Sequence, residues 1–353
     1  MKQYENLFNI LKIYRSNNIG PVNFFYLINK FKNVTNIINN IDSLSTKWNK
    51  EIKLIDDWVI EEEIEKTTKY GANFITYTCE EYPFGKQILF TPVLTILGNK
   101  DLLTKAKISI VGTRLPSLNG ILFCKNLVKE LAYNNFVIVS GLAKGIDIEA
   151  HKASIKTGTI AVMPGGIDQI YPLEHKIYYE EIKQNGLIVA ENPIGTILNT
   201  GLFPKRNSII AGLGISTIVI ESMIKSGALI TAEQAHKYGK KVFAVPGHPF
   251  DNRYEGNNEL LKKYGLICTN VNDILKYTKN MKEENEELID FPDFTEKEQQ
   301  EILSLIGSSP VNISSLASFS NLEINKILSI LIEMEIMQLV KIQPDNTVFR
   351  LSI

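Results

Sequence analysis

In the middle of the chain, apolar residues come in short unbroken runs. Lys107–Val111, Phe136–Val139, Thr159–Met163, Leu187–Ala190, Thr217–Ile220 and Val242–Val245 are rich in Val and Ile. Such runs mark strands covered on both faces, since a half-buried strand would alternate instead. Between them, 119–133, the stretch from Asp147 and 228–238 carry helical spacing. Regular strand–helix alternation predicts an α/β fold, a Rossmann-like doubly wound parallel sheet. Right-handed crossovers then place the strand-to-helix loops on one edge.

The two ends of the chain read differently. Leu7, Ile10, Leu11 and Tyr14 recur at helical spacing, Asn17 to Pro21 forms a turn, and Val22 to Phe31 resumes a helix. This is the outline of a SAM-like or helix-hairpin-helix domain, although Pro21 removes one amide that such a turn could offer a phosphate. Residues 279–294 are acidic and polar, as a linker would be. Beyond them come helical patterns over 296–306, 312–318 and 322–335, then two short β-rich runs, 339–342 and 348–351, around Pro344-Asp345-Asn346. Three helices and a β-ribbon follow the winged-helix plan. The expected organisation is therefore a helical domain (1–70), a Rossmann-like core (71–278), an acidic linker (279–294) and a winged helix (295–353).

Charge refines this division. The 353 residues carry a net charge of -1, which taken whole argues against a strongly basic nucleic-acid binder. Yet residues 71–278 hold 22 basic against 17 acidic side chains, and 279–353 hold 6 against 13. The core is mildly basic and the tail acidic. In 322–335, Lys326 is one cation against Glu323, Glu333 and Glu335, so protein contact suits this helix better than phosphate contact. Cys79, Cys124 and Cys268 have neither disulfide-framework nor zinc spacing. The longest uncharged apolar stretch, Ile209 to Ile220, is short of the ~20 residues of a membrane helix. These features predict a soluble, cytoplasmic protein with no membrane association.

The candidate chemistry sits in the loops after the core strands. Gly112, Thr113 and Arg114 follow the first strand. Ser140, Gly141 and Lys144 follow the second, and Ser226 and Gly227 the fifth. Lys205, Arg206 and Asn207 precede an apolar helical run. Glycines permit close backbone approach, helix N-termini attract anions, and the cations suit a ligand with several phosphates. Asp147 and His151 share a helix face, where they could pair as a general base; the more ordinary reading is a cap on the first turn and an imidazole packed beneath the loop. His175 reads as an ordinary helix residue. No P-loop, GxGxxG, GxSxG or HExxH motif occurs. No catalytic residue, metal site or cofactor is therefore expected.

Taken in order, six blocks resemble the DprA/Smf family of DNA-processing proteins: Ile110 to Arg114 (IVGTR), Val139 to His151 (VSGLAKGIDIEAH), Gly158 to Pro172, Phe203 to Leu213 (FPKRNSIIAGL), Glu221 to Ala235 and Val242 to Gly247. The resemblance implies a core that binds single-stranded DNA and acts as a homodimer. It implies protection of incoming strands in natural transformation and loading of RecA recombinase onto them, without catalysis. It places Thr113, Arg114, Lys205 and Arg206 in the basic pocket. Ser208 stands where members often carry another Arg, Ala190-Glu191 where Ser-Glu is usual, and Gly265-Leu266 where Gly-Ala is usual. The rival from another class is a LOG-like nucleoside-monophosphate phosphoribohydrolase, for which Glu191 or Glu221 would be the carboxylate to test. The continuation of Pro164-Gly165-Gly166 as Ile167-Asp168-Gln169-Ile170 lacks that family's third glycine and glutamate.

Overall fold

The computed structural model describes residues 2–48, 53–85, 90–278, 291–343 and 346–351, with the side chains of residues 2 and 42–48 left aside. The chain divides into two compact units. One contains Met1–Glu62, Lys86–Pro92 and Glu286–Ile353; the other contains Glu63–Gly85 and Val93–Asn285.

Four helices open the chain: α1 (Lys2–Tyr14), α2 (Pro21–Phe31), α3 (Val34–Trp48) and α4 (Asp57–Lys69). The boundary between the units falls within α4, after Glu62. Pro21 occupies the first turn of α2, where its missing N–H is harmless. Ile10, Leu11, Phe24, Leu27 and Ile37 are completely buried, so the apolar stripes read from the sequence do pack together.

The second unit is built on β1 (Asn73–Thr76), β2 (Val93–Gly98), β3 (Lys107–Val111), α5 (Leu118–Tyr133), β4 (Val137–Ser140), α6 (Ile146–Ser154), β5 (Thr159–Met163), α7 (Lys176–Asn185), β6 (Leu187–Ala190), α8 (Leu202–Leu213), β7 (Ser216–Val219), α9 (Gly227–Lys237), β8 (Lys241–Ala244), α10 (Glu255–Lys263), β9 (Leu266–Ile267) and α11 (Val271–Thr278). Its sheet runs β1-β2-β6-β5-β4-β3-β7-β8-β9. From β6 to β9 all pairings are parallel. The β1–β2 and β2–β6 pairings are antiparallel, so the sheet is mixed at one side rather than wholly parallel. Ile108, Ile110, Leu127, Leu131 and Phe243 form one apolar cluster, and Met163, Tyr179, Ile182 and Ile188 another. Strand order reverses between β3 and β7, the topological switch point where ligands of such sheets bind.

The first unit is completed by α12 (Glu296–Leu305), β10 (Val311–Asn312), α13 (Ile313–Ser320), α14 (Ile324–Ile336), β11 (Val340–Ile342) and β12 (Thr347–Arg350). Thr295 and Glu298 form a reciprocal capping box on α12. Asn312 caps α13 through Ser314 N. The β11–β12 ribbon is joined by β10 into three strands. Most of the acidic linker, 279–290, lies outside the described residues. Its last part is not linker-like: Phe291 is buried, its ring edge-on to Tyr26 at 5.5 Å.

The acidic helix makes a polar contact inside its own unit, which is distinct from the expected docking of a partner protein. Glu333 of α14 is fully buried. It accepts hydrogen bonds from Tyr26 Oη at 2.9 Å and Gln299 Nε2 at 3.2 Å, and pairs with Lys30. Burial, then the Glu333 carboxylate, push the Tyr26 hydroxyl far above its ordinary pKa. Lys326 is engaged by Glu298 at 2.6 Å. A buried carboxylate is tolerated because its oxygens face donors; removing it leaves those donors unpaired. Glu333→Ala should therefore destabilise the unit by about 3 kcal/mol. It should also raise amide hydrogen exchange in both α2 and α14; unchanged protection in α2 would refute the coupling. No helix among the described residues is long and apolar enough to cross a membrane.

Candidate nucleic-acid interface

The loops after β3, β4 and β5 meet α8 at the carboxyl edge of the sheet, and their geometry is set by a buried cation. Arg206 is only 6% exposed. Its Nη1 donates to Gly141 O and, at 3.2 Å, to Val162 O; its Nε donates to Asn207 Oδ1 at 3.1 Å. The guanidinium lies so close over Gly141 that any side chain there would collide with it. Asp147, also buried, supplies the counter-charge and accepts from Gly141 N at 3.2 Å. Burial raises the Asp147 carboxyl above its ordinary value, while Arg206 and the Gly141 amide pull it back down. Burial lowers the pKa of Arg206, Asp147 opposes this, and nearby Arg114 adds to the lowering.

His151 completes the brace. Leu142 N donates to its Nε2 at 3.2 Å, so that nitrogen carries no proton. The Nδ1–H then donates to Thr159 Oγ1 at 2.7 Å, whose hydroxyl donates to Ile138 O. A second proton on the ring would point at an amide already pointing back. Complete burial, then the neighbouring Arg206 and His175, push the imidazole pKa down to about 3. His175, not an ordinary helix residue after all, is buried and bonds Leu142 O through Nδ1 at 2.8 Å. Leu142 is thereby held at both its amide and its carbonyl, in a left-handed conformation with φ 55°.

The β3 loop is fixed from the other side. Thr113 N donates to Glu221 O, and the Glu221 carboxylate accepts from Ser117 N at 2.8 Å and from Ser117 Oγ. Ser117 in turn caps α5. Glu221, a candidate carboxylate for the hydrolase reading, is thus fully buried in a structural role. Gly145 has φ +79°, and Thr113 O and Arg114 Cα press against the place where a Cβ would stand. Ile146 N, at the start of α6, donates to that same Thr113 carbonyl.

Two expectations change as a result. The amides of Thr113, Gly141, Leu142 and Ile146 are engaged within the protein, so these four are not available to a phosphate. The basic pair also divides: Arg206 is an internal strut, whereas Lys205 is exposed. Ser140 is buried and donates to Ile110 O. Asn207 is buried, its Nδ2 donating to Gly227 O at 3.3 Å. Thr113 is buried and accepts from Leu115 N. Ser226 caps α9, with exposed Gly227 following it. Gly112 is partly covered and packs against Ile146. Of the cations expected at the site, Arg114, Lys205 and Lys144 are exposed, the last paired with Glu174 at 2.9 Å, both more than half exposed. Phe203 and Tyr171 lie edge-on at 5.7 Å, with the Arg206 guanidinium 5.9 Å from the centre of the Phe203 ring.

Residues 73–279 match the family model for DNA recombination-mediator protein A. This chain belongs to the DprA/Smf family. Residues 4–65 match the DprA-like N-terminal HHH domain and 292–346 the DprA winged helix domain. The DNA processing protein DprA of Bacillus subtilis is 40% identical over 211 residues, 58% of this chain and 71% of that protein. The Streptococcus pneumoniae protein of the same name is 38% identical over 225 residues, 63% and 78%. Its X-ray structure superposes with a TM-score of 0.58 at 35% identity, covering 63% of this chain and 78% of that one. DNA processing protein A from Helicobacter pylori, described in terms of its single-stranded DNA binding mode, gives a TM-score of 0.53 at 31% identity, covering 59% and 95%.

The buried network has a pH signature. His151 binds its proton far less readily folded than unfolded, where its pKa is about 6.5. The unfolded state therefore holds more protons between that value and about 3, and stability falls as pH drops through this window. Between pH 6 and 5 the protein should lose about 1 kcal/mol more stability than His151→Gln does, measured by urea unfolding; equal losses would remove His151 from the brace. Arg206→Met should destabilise by about 3 kcal/mol, whereas Arg114→Ala should not lower the melting temperature, since Arg114 only repels Arg206.

Proposed function

We propose that the protein is a single-stranded DNA-binding recombination mediator that holds an incoming strand along the carboxyl edge of its sheet. It protects that strand and presents it to the RecA recombinase during natural transformation. In this reading it works as a cytoplasmic homodimer and performs no chemistry of its own.

The observation that carries the reading is the contrast between a loop floor whose Thr113, Gly141, Leu142 and Ile146 amides are bonded internally and the cations exposed above it. Arg114 stands near the buried Arg206, and the repulsion between two guanidiniums is relieved when an anion joins Arg114. Phosphates are contacted by the side chains of Arg114, Lys205 and Lys144, not by loop amides. The Lys144–Glu174 pair is exposed enough to open at little cost. Phe203 and Tyr171 offer rings for sequence-tolerant stacking. Family membership and the Helicobacter pylori relative support the choice of ligand.

A salt titration of oligo-dT binding tests this. Arg114→Ala and Lys205→Ala should each weaken binding and lower the log–log salt slope by about 0.7 per lost phosphate contact. Wild-type affinity and slope in both variants would sink the proposed interface. Incubation with AMP should release no ribose 5-phosphate.

A further inference from the structure

The cations used so far lie on the β3, β4 and α8 side of the edge. Further along, a cavity of about 410 Å³ is lined by Lys66, Lys69, Tyr70, Asp168, Ile194 and Gly195. Lysines in the last turn of a helix are ordinary by themselves, since the helix dipole favours them there. Here they share a concavity with an aromatic ring and a pinned backbone loop. Asp168 Oδ1 accepts from Gly195 N at 2.8 Å, and Oδ2 from Gln169 Nε2 at 2.7 Å. Gly166 N bonds Thr196 O across the same two loops. The carboxylate is thus occupied in joining the β5 and β6 loops, while Lys66 and Lys69 are exposed.

The cavity is mechanically tied to the edge. Buried Tyr179 donates its hydroxyl to Ile167 O at 2.6 Å, in the β5 loop. The Tyr70 hydroxyl, 3.4 Å from that of Tyr179, must then be the donor in their contact. Lys183 Nζ lies 5.6 Å from the centre of the Tyr70 ring and adds positive charge beside it. β6 is three strands from β3, about 14 Å at the usual strand spacing. Gly195 lies on the connection from β6 into α8, and Lys205 on α8 itself.

We propose that this cavity is a second subsite for the same single strand, with Lys66 and Lys69 holding backbone phosphate and Tyr70 supporting a base. The proposal rests on the reading of the edge as a single-strand track and sets the direction in which the strand runs, from Arg114 and Lys205 toward the end of α4. Exposed lysines beside an aromatic ring are the pairing that sequence-independent single-strand sites use.

The test compares oligo-dT of about six and about twenty nucleotides on the full chain. Lys66→Glu/Lys69→Glu should weaken the longer strand at least about tenfold and lower its salt slope by about 1.4, the share of two phosphates. It should leave the shorter strand, held by Arg114 and Lys205, unchanged. Lys69→Glu alone should show a smaller loss of the same kind. Tyr70→Leu should weaken the longer strand without changing the slope. Unchanged binding of the longer strand by the double variant, with its melting temperature intact, overturns the subsite while leaving the main track standing. Equal weakening of both lengths overturns it too, by showing a general charge effect. Failure of the wild-type chain to bind either length would instead overturn the track itself.

Discussion

Everything at the carboxyl edge depends on one guanidinium held away from water. Arg206 reaches from α8 under the loops after β4 and β5 and donates to a carbonyl from each strand end. A buried cation is tolerated only where counter-charge and acceptors surround it, and Asp147, Gly141, Val162 and Asn207 supply them. The arrangement fixes α8 relative to two strands, and with α8 the residue next door. Lys205 and Arg206 are adjacent in sequence yet differ in role because successive helix positions point about 100° apart.

The same economy runs through the neighbouring loops. Asp147, His151, His175 and Glu221 are the kinds of residues that could do acid–base chemistry, but each faces backbone donors or acceptors of the loops themselves. A loop whose amides and carbonyls are internally paired keeps its shape without a ligand. In the proposed function, recognition is therefore left to side chains and sequence preference is weak, as suits a partner whose backbone is uniform and whose bases vary.

How much of this could be read from the sequence depended on whether the signal was local. The strands from β3 to β8 were legible because burial on both faces gives continuous Val/Ile runs. β1 and β2 went unread: β1 begins with an exposed and a half-buried residue, so it lacks the continuous apolar run, and β9 has only two residues. Glycines between strand and helix located the edge correctly. Burial of Arg206 was not legible, since a Lys-Arg pair looks the same whichever member turns inward. The bond from His175 to Leu142 spans 33 residues, and no spacing rule reaches that far. The acidic character of α14 gave no hint that Glu333 is buried inside its own chain. Its partner, α2, lies some 300 positions away and could not be named.

The Tyr26–Lys30–Glu333 contact joins residues 303 and 307 positions apart. During synthesis, α2 emerges long before the carboxylate that completes its polar face. At ribosomal speeds of about 5–20 residues per second, that wait is roughly 15 to 60 s. Through it the opening helices must persist without their final packing, while the sheet between them is made and folded. The residues of α2 thus wait for Glu333, some 300 positions later in the chain, before they reach their native surroundings.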